Sequence, residues 1–225
     1  LPLLVGLAGA PTNNGKGIAS LNWEGRFIEL RSYKALDDRG RGSVYKVSRA
    51  IIQAAEDGAD VISLSLGSQE RFPNKTQVDA VKYALSLGCI VVAAAGNNGG
   101  QDARRHSPSN IKGVISVAAM NSELRRAPFS NINTRLQMPL AAPGAAIYST
   151  FPGSEYRSFN GTSMATPIVA GLCGILRAYR PDISATEAWQ LLHDTGKVTA
   201  DSKDTGRMVD ALPLVTTLLD PAIAN

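Results

Sequence analysis

Residues 89–100 have the sequence CIVVAAAGNNGG, and this stretch decides the fold. An uninterrupted apolar run leads here into a loop rich in glycine and asparagine. A run without the alternation of a half-buried strand is typical of a parallel sheet that is covered on both faces. We therefore predict a central parallel strand, with the glycine-rich loop at its carboxyl end.

The segments on either side of this strand alternate between strand and helix patterns. Helical spacing of apolar residues predicts helices within 43–58, 75–88, 161–181 and 184–196, and apolar runs predict strands within 25–36, 59–67 and 113–120. This alternation predicts an α/β fold, a doubly wound parallel sheet with helices on both faces. Ligands of such sheets bind beyond the carboxyl ends of the strands, which here are SLG at 65–67 and AAGN at 94–97.

Composition narrows the class of protein. The chain has 225 residues, of which 44% are hydrophobic, and this length suits one large α/β domain. The net charge is +4, but the charges are scattered, so we predict no nucleic-acid partner. No apolar run is long enough to cross a membrane, and we predict no membrane partner. Cys89 and Cys173 lie in apolar runs, which predicts buried thiols rather than a disulfide framework.

A candidate nucleophile lies in NGTSMATPIVAG at residues 160–171. Ser163 begins a predicted helix there, so unpaired backbone N–H groups and the helix dipole surround it. A serine hydroxyl needs an adjacent base, and the oxyanion that forms needs hydrogen-bond donors. Asn97, at the end of the central strand, is a candidate donor. Gly96 and Gly161 would let a substrate backbone approach closely.

Several segments also match one protein family in order. They are NNGKGIAS at 13–20, DVISLSLGS at 60–68, AAAGNNG at 93–99, MPLAAPGAAIYST at 138–150, NGTSMATPIVAG at 160–171 and GRMVDALPLV at 206–215. Together they resemble the subtilisin-like serine proteases, the subtilases. The resemblance implies a subtilisin-like fold, a polypeptide substrate, and hydrolysis of peptide bonds through a seryl acyl-enzyme without an organic cofactor.

The resemblance also assigns residues. It implies that Ser163 is the nucleophile and that the Asn97 side chain belongs to the oxyanion hole. It further implies two walls of the substrate cleft, namely Ser65, Leu66 and Gly67 on one side and Ala94, Ala95 and Gly96 on the other. The small apolar residues of the second wall predict a pocket that accepts a sizeable apolar side chain. Ile168 departs from the family, which often has histidine at that position, and we expect local repacking there.

The catalytic base is not identifiable in the sequence. The family has its aspartate and histidine before the serine, and LPLLVGLAGAP at 1–11 matches only the end of the family's histidine helix. We therefore expect residues 1–225 to form a single, N-terminally incomplete domain that is inactive alone, with LPLLVGLA left without partners. His106 follows two arginines and is predicted to be a solvated turn residue, and His193 ends a helix, so neither is predicted to be the base. The DTG strings at 194–196 and 204–206 do not follow an apolar strand, unlike the family's aspartate.

Other functions stay open at this point. A non-catalytic pseudoprotease could hold extended peptides along residues 64–67 by strand addition. A nucleotide-binding protein could use GNNGG as a phosphate loop, but the chain lacks the fingerprint glycines and the phosphate-loop lysine. For calcium, the Asn14 loop offers oxygen ligands, and the alternative is a plain Asn-Gly turn. Relatives are mostly secreted, although the sequence assigns no compartment, no oligomeric state and no substrate preference.

Overall fold

A computed structural model describes residues 2–26 and 28–219. Its helices are α1 (Pro2–Gly9), α2 (Val44–Glu56), α3 (Lys75–Ser86), α4 (Thr162–Tyr179), α5 (Ala185–Asp194), α6 (Ser202–Thr205) and α7 (Ala211–Leu218). Its strands are β1 (Pro11–Thr12), β2 (Asn22–Trp23), β3 (Val61–Leu64), β4 (Ser68–Gln69), β5 (Ile90–Ala94), β6 (His106–Ser107), β7 (Ile115–Met120), β8 (Met138–Pro143), β9 (Ile147–Phe151) and β10 (Glu155–Phe159).

The core is a four-stranded parallel sheet in the order β3–β5–β7–β8. The predicted central strand, β5, lies inside the sheet, and all of its residues are buried. Successive side chains point to opposite faces of a strand. Accordingly, Ile90 and Val92 join the apolar cluster on one face, whereas Val91 and Ala93 join the cluster on the other. This two-sided burial explains why the run of apolar residues has no polar alternation.

Helices cover both faces of the sheet, which confirms the predicted fold class. Helices α2 and α3 pack on the face that includes Val91. Their first turns are capped by Ser43 and Asn74, whose side chains accept hydrogen bonds from backbone amides. Helices α4, α5 and α7 pack on the opposite face, where α4 is buried on most of its surface. Cys89 and Cys173 are buried free thiols, as predicted, and burial raises the pKa of Cys173 to about 12.

The strand predicted within 25–36 is wrong for the described part of that segment. Residues 28–35 have no regular secondary structure and pair with no strand. Side chains hold the segment instead. Asn22 bonds to both backbone groups of Ile28, and Tyr33 donates to the Asp57 carboxylate at the end of α2. The apolar alternation in this segment reflects partial packing against helices rather than membership of a sheet.

Helix α1 has partners, contrary to the expectation that LPLLVGLA would lack them. Ser149 donates a hydrogen bond of 2.9 Å to the Leu3 carbonyl oxygen. On α4, a side chain at Gly171 would lie 2.8 Å from the Ala8 carbonyl oxygen, so a glycine allows the two helices to touch. The amino-terminal apolar segment is therefore docked onto α4 and strand β9. Among the described residues, no helix is long and apolar enough to span a bilayer.

Candidate active site

Ser163 lies in the first turn of α4, immediately beyond the carboxyl ends of the parallel strands. The helix begins after Gly161, which has no side chain to cap the first turn. The first amides of a helix lack partners within the helix, and its dipole places positive charge there. Ser163 itself is half-buried. Ser163 therefore lies at the amino terminus of a helix, as the sequence predicted.

Asn97 replaces the missing cap. Its Oδ1 accepts hydrogen bonds from the Thr162 amide and the Thr162 hydroxyl, both at 2.9 Å. The Thr162 hydroxyl oxygen in turn accepts a hydrogen bond of 3.2 Å from the Gly96 amide. These three bonds fasten the end of β5 to the start of α4. They also commit the Asn97 oxygen to the helix and leave its Nδ2 as a donor.

Two donors border one space beside Gly161. A Cβ atom built on Gly161 would lie 3.5 Å from Asn97 Nδ2 and 3.6 Å from the Ser163 amide nitrogen. Because residue 161 is glycine, it places no side chain of its own in this space, which Met164 Sδ also borders, 3.3 Å from the same Cβ position. The structure therefore brings together the two nitrogen donors that an oxyanion site at Ser163 would use.

Ser65 and Ser163 are joined by a pair of hydrogen bonds. The Ser163 hydroxyl donates to the Ser65 carbonyl oxygen at 3.3 Å, and the Ser65 hydroxyl donates to the Ser163 carbonyl oxygen at 2.8 Å. The second bond has a cause in the sequence. Pro167 lies in the second turn of α4 and has no N–H for the carbonyl four residues earlier, which belongs to Ser163. Ser65 satisfies that freed carbonyl.

The six predicted wall residues lie on two adjacent strand ends. Ser65 and Leu66 are half-buried and Gly67 is exposed, whereas Ala94, Ala95 and Gly96 are buried. The first segment contacts Ser163 through Ser65, and the second contacts Thr162 through Gly96. Both segments therefore meet at the start of α4.

His106 is buried, so its prediction as a solvated turn residue is wrong. Only 8% of the residue is exposed, and its Nδ1 has no hydrogen-bond partner among the described residues. Burial lowers the pKa of this imidazole. The short strand β6 holds His106 by pairing antiparallel with β4, opposite Gln69. Two-residue strands leave no periodic signal in the sequence, and the preceding arginines suggested an exposed loop.

His193 lies at the surface end of α5, as the sequence predicted. Its ring packs against Trp189, and its Nδ1 lies 3.0 Å from Asp194 Oδ1. Neither of the two histidines in the sequence is hydrogen-bonded to Ser163, whose hydroxyl donates to a backbone oxygen instead. The first DTG string lies at the end of α5, and the second spans the end of α6, so neither follows a strand.

The Asn14 loop uses its own side chain to close a turn. Asn14 Oδ1 accepts a hydrogen bond of 3.0 Å from the Lys16 amide. Across the described parts of the chain, no group of three or more His, Cys, Asp or Glu side chains could hold a metal ion. This contact is compatible with an Asn-Gly turn, and calcium binding at the Asn14 loop stays a prediction.

Several known proteins are similar to this chain in amino-acid sequence. The sequence profile of the subtilase family matches residues 3–211. A thermophilic serine proteinase from Bacillus sp. (strain AK1) is 43% identical over 173 residues, which cover 77% of this chain and 41% of that protein. Thermitase from Thermoactinomyces vulgaris is 42% identical over 171 residues, covering 76% of this chain and 58% of thermitase. The chain thus spans about half the length of these two relatives.

Solved structures agree with the sequence comparisons. A protease from Pseudoalteromonas arctica PAMC 21717 superposes with a TM-score of 0.85 at 29% identity, covering 96% of this chain and 70% of that one. The psychrophilic protease S41 superposes with a TM-score of 0.82 at 28% identity, covering 93% of this chain and 76% of that one. The family match at 3–211 includes the strand ends at 65–67 and 94–97 and the helix whose first turn contains Ser163, and this chain belongs to the subtilase family.

Proposed function

We propose that residues 1–225 are one domain of a serine endopeptidase, in which Ser163 is the nucleophile and Asn97 stabilises the oxyanion. One observation carries the proposal. Asn97 Nδ2 and the Ser163 amide border the same space beside Gly161, at the first turn of the helix that carries Ser163. The relative that is 43% identical is named as a serine proteinase, which supports the same assignment.

In the proposed reaction, Ser163 Oγ forms a bond to the carbonyl carbon of a peptide. The carbonyl π electrons move to the oxygen, which becomes an oxyanion held by Asn97 Nδ2 and the Ser163 amide. A general base takes the Ser163 proton during attack and delivers it to the leaving amine when the C–N bond breaks, and an acyl-enzyme remains. Water then hydrolyses this ester, releasing the acid and restoring the serine. Donors already fixed by hydrogen bonds need little reorganisation, which is why they lower the barrier.

The rate of this reaction depends on removal of the Ser163 proton, and this requirement limits the activity of the chain when it is assayed by itself. The hydroxyl of Ser163 is bonded to a backbone carbonyl oxygen, which is not a useful base. In subtilisin, loss of the catalytic histidine alone slows the reaction by about 10⁶-fold, because the serine hydroxyl then keeps its proton. We therefore expect no measurable turnover by this chain alone.

A peptide-binding role without catalysis is the second candidate. Strand β3 is an edge strand of the four-stranded sheet, and the segment after it leads directly to Ser163. An edge strand can add an extended peptide through backbone hydrogen bonds. Such a protein would bind polypeptides but would not need the Ser163 hydroxyl.

Reaction with a serine-directed fluorophosphonate separates the two roles. We expect slow labelling that mass spectrometry locates at Ser163, acceleration by added imidazole as an external base, and loss of labelling in Ser163→Ala. Labelling spread over surface serines, or unchanged by Ser163→Ala, would contradict the assignment of the nucleophile. Peptide binding without any labelling at Ser163 would favour the non-catalytic role.

A further inference from the structure

The imidazole of His106 lies between the ends of two parallel strands. A Cβ atom built on Gly67 would lie 2.4 Å from His106 Nε2, and one built on Gly96 would lie 2.7 Å from His106 Nδ1. Such distances are far shorter than normal contacts, so the ring directly touches both glycines. We call the space between Gly67 and Gly96 the slot. In the structure, the slot is filled by His106.

The slot adjoins the candidate nucleophile. Ser65, two residues before Gly67, exchanges two hydrogen bonds with Ser163. Gly96 donates to Thr162, the residue before Ser163. Gly67 is exposed, so one rim of the slot faces solvent. Because both walls of the slot contact the start of α4, we expect a peptide that presents its carbonyl to Ser163 to place the side chain of that residue close to this opening.

We propose that His106 determines specificity as a plug that fills the slot. It restricts the chain to peptides in which the residue that presents its carbonyl to Ser163 is small, such as alanine. This inference rests on the proposed function of Ser163. It replaces the expectation of a pocket for a sizeable apolar side chain, because Gly96 of the second wall contacts an imidazole that occupies the space.

The walls of the slot are held in place, whereas the His106 side chain can rotate. Both sides consist of backbone, and strand β5, which ends two residues before Gly96, is held within the sheet. The His106 backbone is also fixed, since its carbonyl oxygen accepts hydrogen bonds from the Asn110 amide and the Ser109 hydroxyl. A large substrate side chain could therefore enter only if the imidazole rotated out. Interiors are packed too densely to accept both groups.

Binding of product-like peptides tests this inference without turnover. N-acetylated tetrapeptide acids ending in Ala-Ala-Ala-Ala or Ala-Ala-Ala-Phe are titrated into ¹⁵N-labelled Ser163→Ala protein, and dissociation constants are taken from amide shifts at Gly67 and Gly96. We expect the alanine peptide to bind about tenfold or more tightly than the phenylalanine peptide. His106→Ala should remove or reverse this preference, whereas His106→Phe, which keeps an aromatic plug, should retain it.

The outcomes separate the plug from the proposed function. An unchanged ratio of the two dissociation constants in His106→Ala overturns the plug, as does the absence of peptide shifts at Gly67 and Gly96. Fluorophosphonate labelling of the wild type, which depends on Ser163, reports on the proposed function in either case. If His106→Ala does not fold, as judged by thermal unfolding, His106→Val leaves a smaller cavity and should show the same change in preference.

Discussion

Helices α4 and α5 follow one another in the chain, but their first turns are completed in different ways. Helix α5 is capped by its own sequence: the Ser184 hydroxyl accepts from the Glu187 amide, and the Glu187 carboxylate accepts from the Ser184 amide. Helix α4 begins after a glycine, and its cap comes from Asn97, 65 positions earlier in the chain. The local cap places the Ser184 side chain at the first turn of α5. The distant cap of α4 leaves the space beside Ser163 without a side chain from residue 161.

This contrast gives a physical reason for the glycine at position 161. A capping serine or aspartate there would satisfy the first amides of α4, but its side chain would occupy the space between Asn97 Nδ2 and the Ser163 amide. The candidate site therefore depends on a helix that lacks a local cap. Stability at this end of α4 is supplied by the sheet.

The largest expected effect comes from disturbing that distant support. In Gly96→Ala, the new methyl group would lie 2.5 Å from Asn131 Nδ2 and 2.7 Å from His106 Nδ1, at a backbone φ of +101°. We expect the free energy of unfolding to fall by about 3 kcal/mol, measured by urea denaturation. Gly99→Ala is the matched control, since φ there is +67° but no atom lies within 4 Å, and it should cost about 1 kcal/mol. Equal losses would show that the strand end is not crowded.

Next in size is the loss of the distant cap itself. Asn97→Ala removes the acceptor of the Thr162 amide and hydroxyl, and we expect a loss of about 1 to 2 kcal/mol in the free energy of unfolding. Hydrogen exchange should quicken at the first amides of α4.

Asn97→Asp separates the two roles of this side chain. The aspartate keeps an oxygen acceptor for Thr162, so stability should change by less than about 0.5 kcal/mol. It lacks the Nδ2 donor, so binding of the alanine tetrapeptide acid should weaken by about tenfold or more. Weakening of stability and binding together in Asn97→Asp would mean that the oxygen and nitrogen of Asn97 do not have separate roles.

The smallest effect belongs to the local cap of α5. Ser184→Ala should lower the free energy of unfolding by about 1 kcal/mol. Hydrogen bonds from Ser184 hold the pKa of Glu187 below its ordinary value of 4.5, so their stabilisation is present above pH 4.5 and is lost as the pH falls through the folded pKa. In Ser184→Ala, NMR titration should show a higher pKa for Glu187. An unchanged pKa would mean that the capping box is not what lowers it.

Sequence patterns predicted the regular part of the molecule because they arise from local geometry. The apolar run at 89–95 could be placed inside a parallel sheet, since only a strand covered on both faces needs apolar residues at consecutive positions. The helical spacing of apolar residues within 184–196 likewise predicted α5. By contrast, alternation within 25–36 predicted a strand that the described residues do not form, because pairing requires a partner that periodicity does not reveal.

What the sequence by itself determined is the alternation of the main strands and helices, and the serine and asparagine of the candidate site. Tertiary structure alone decided that Asn97 caps α4, that Ser65 satisfies the carbonyl freed by Pro167, and that His106 fills the slot. Local elements depend on neighbours one to four residues apart, which a sequence displays directly. These contacts join residues many positions apart, and they exist only because parallel strands bring their carboxyl ends to one edge of the sheet.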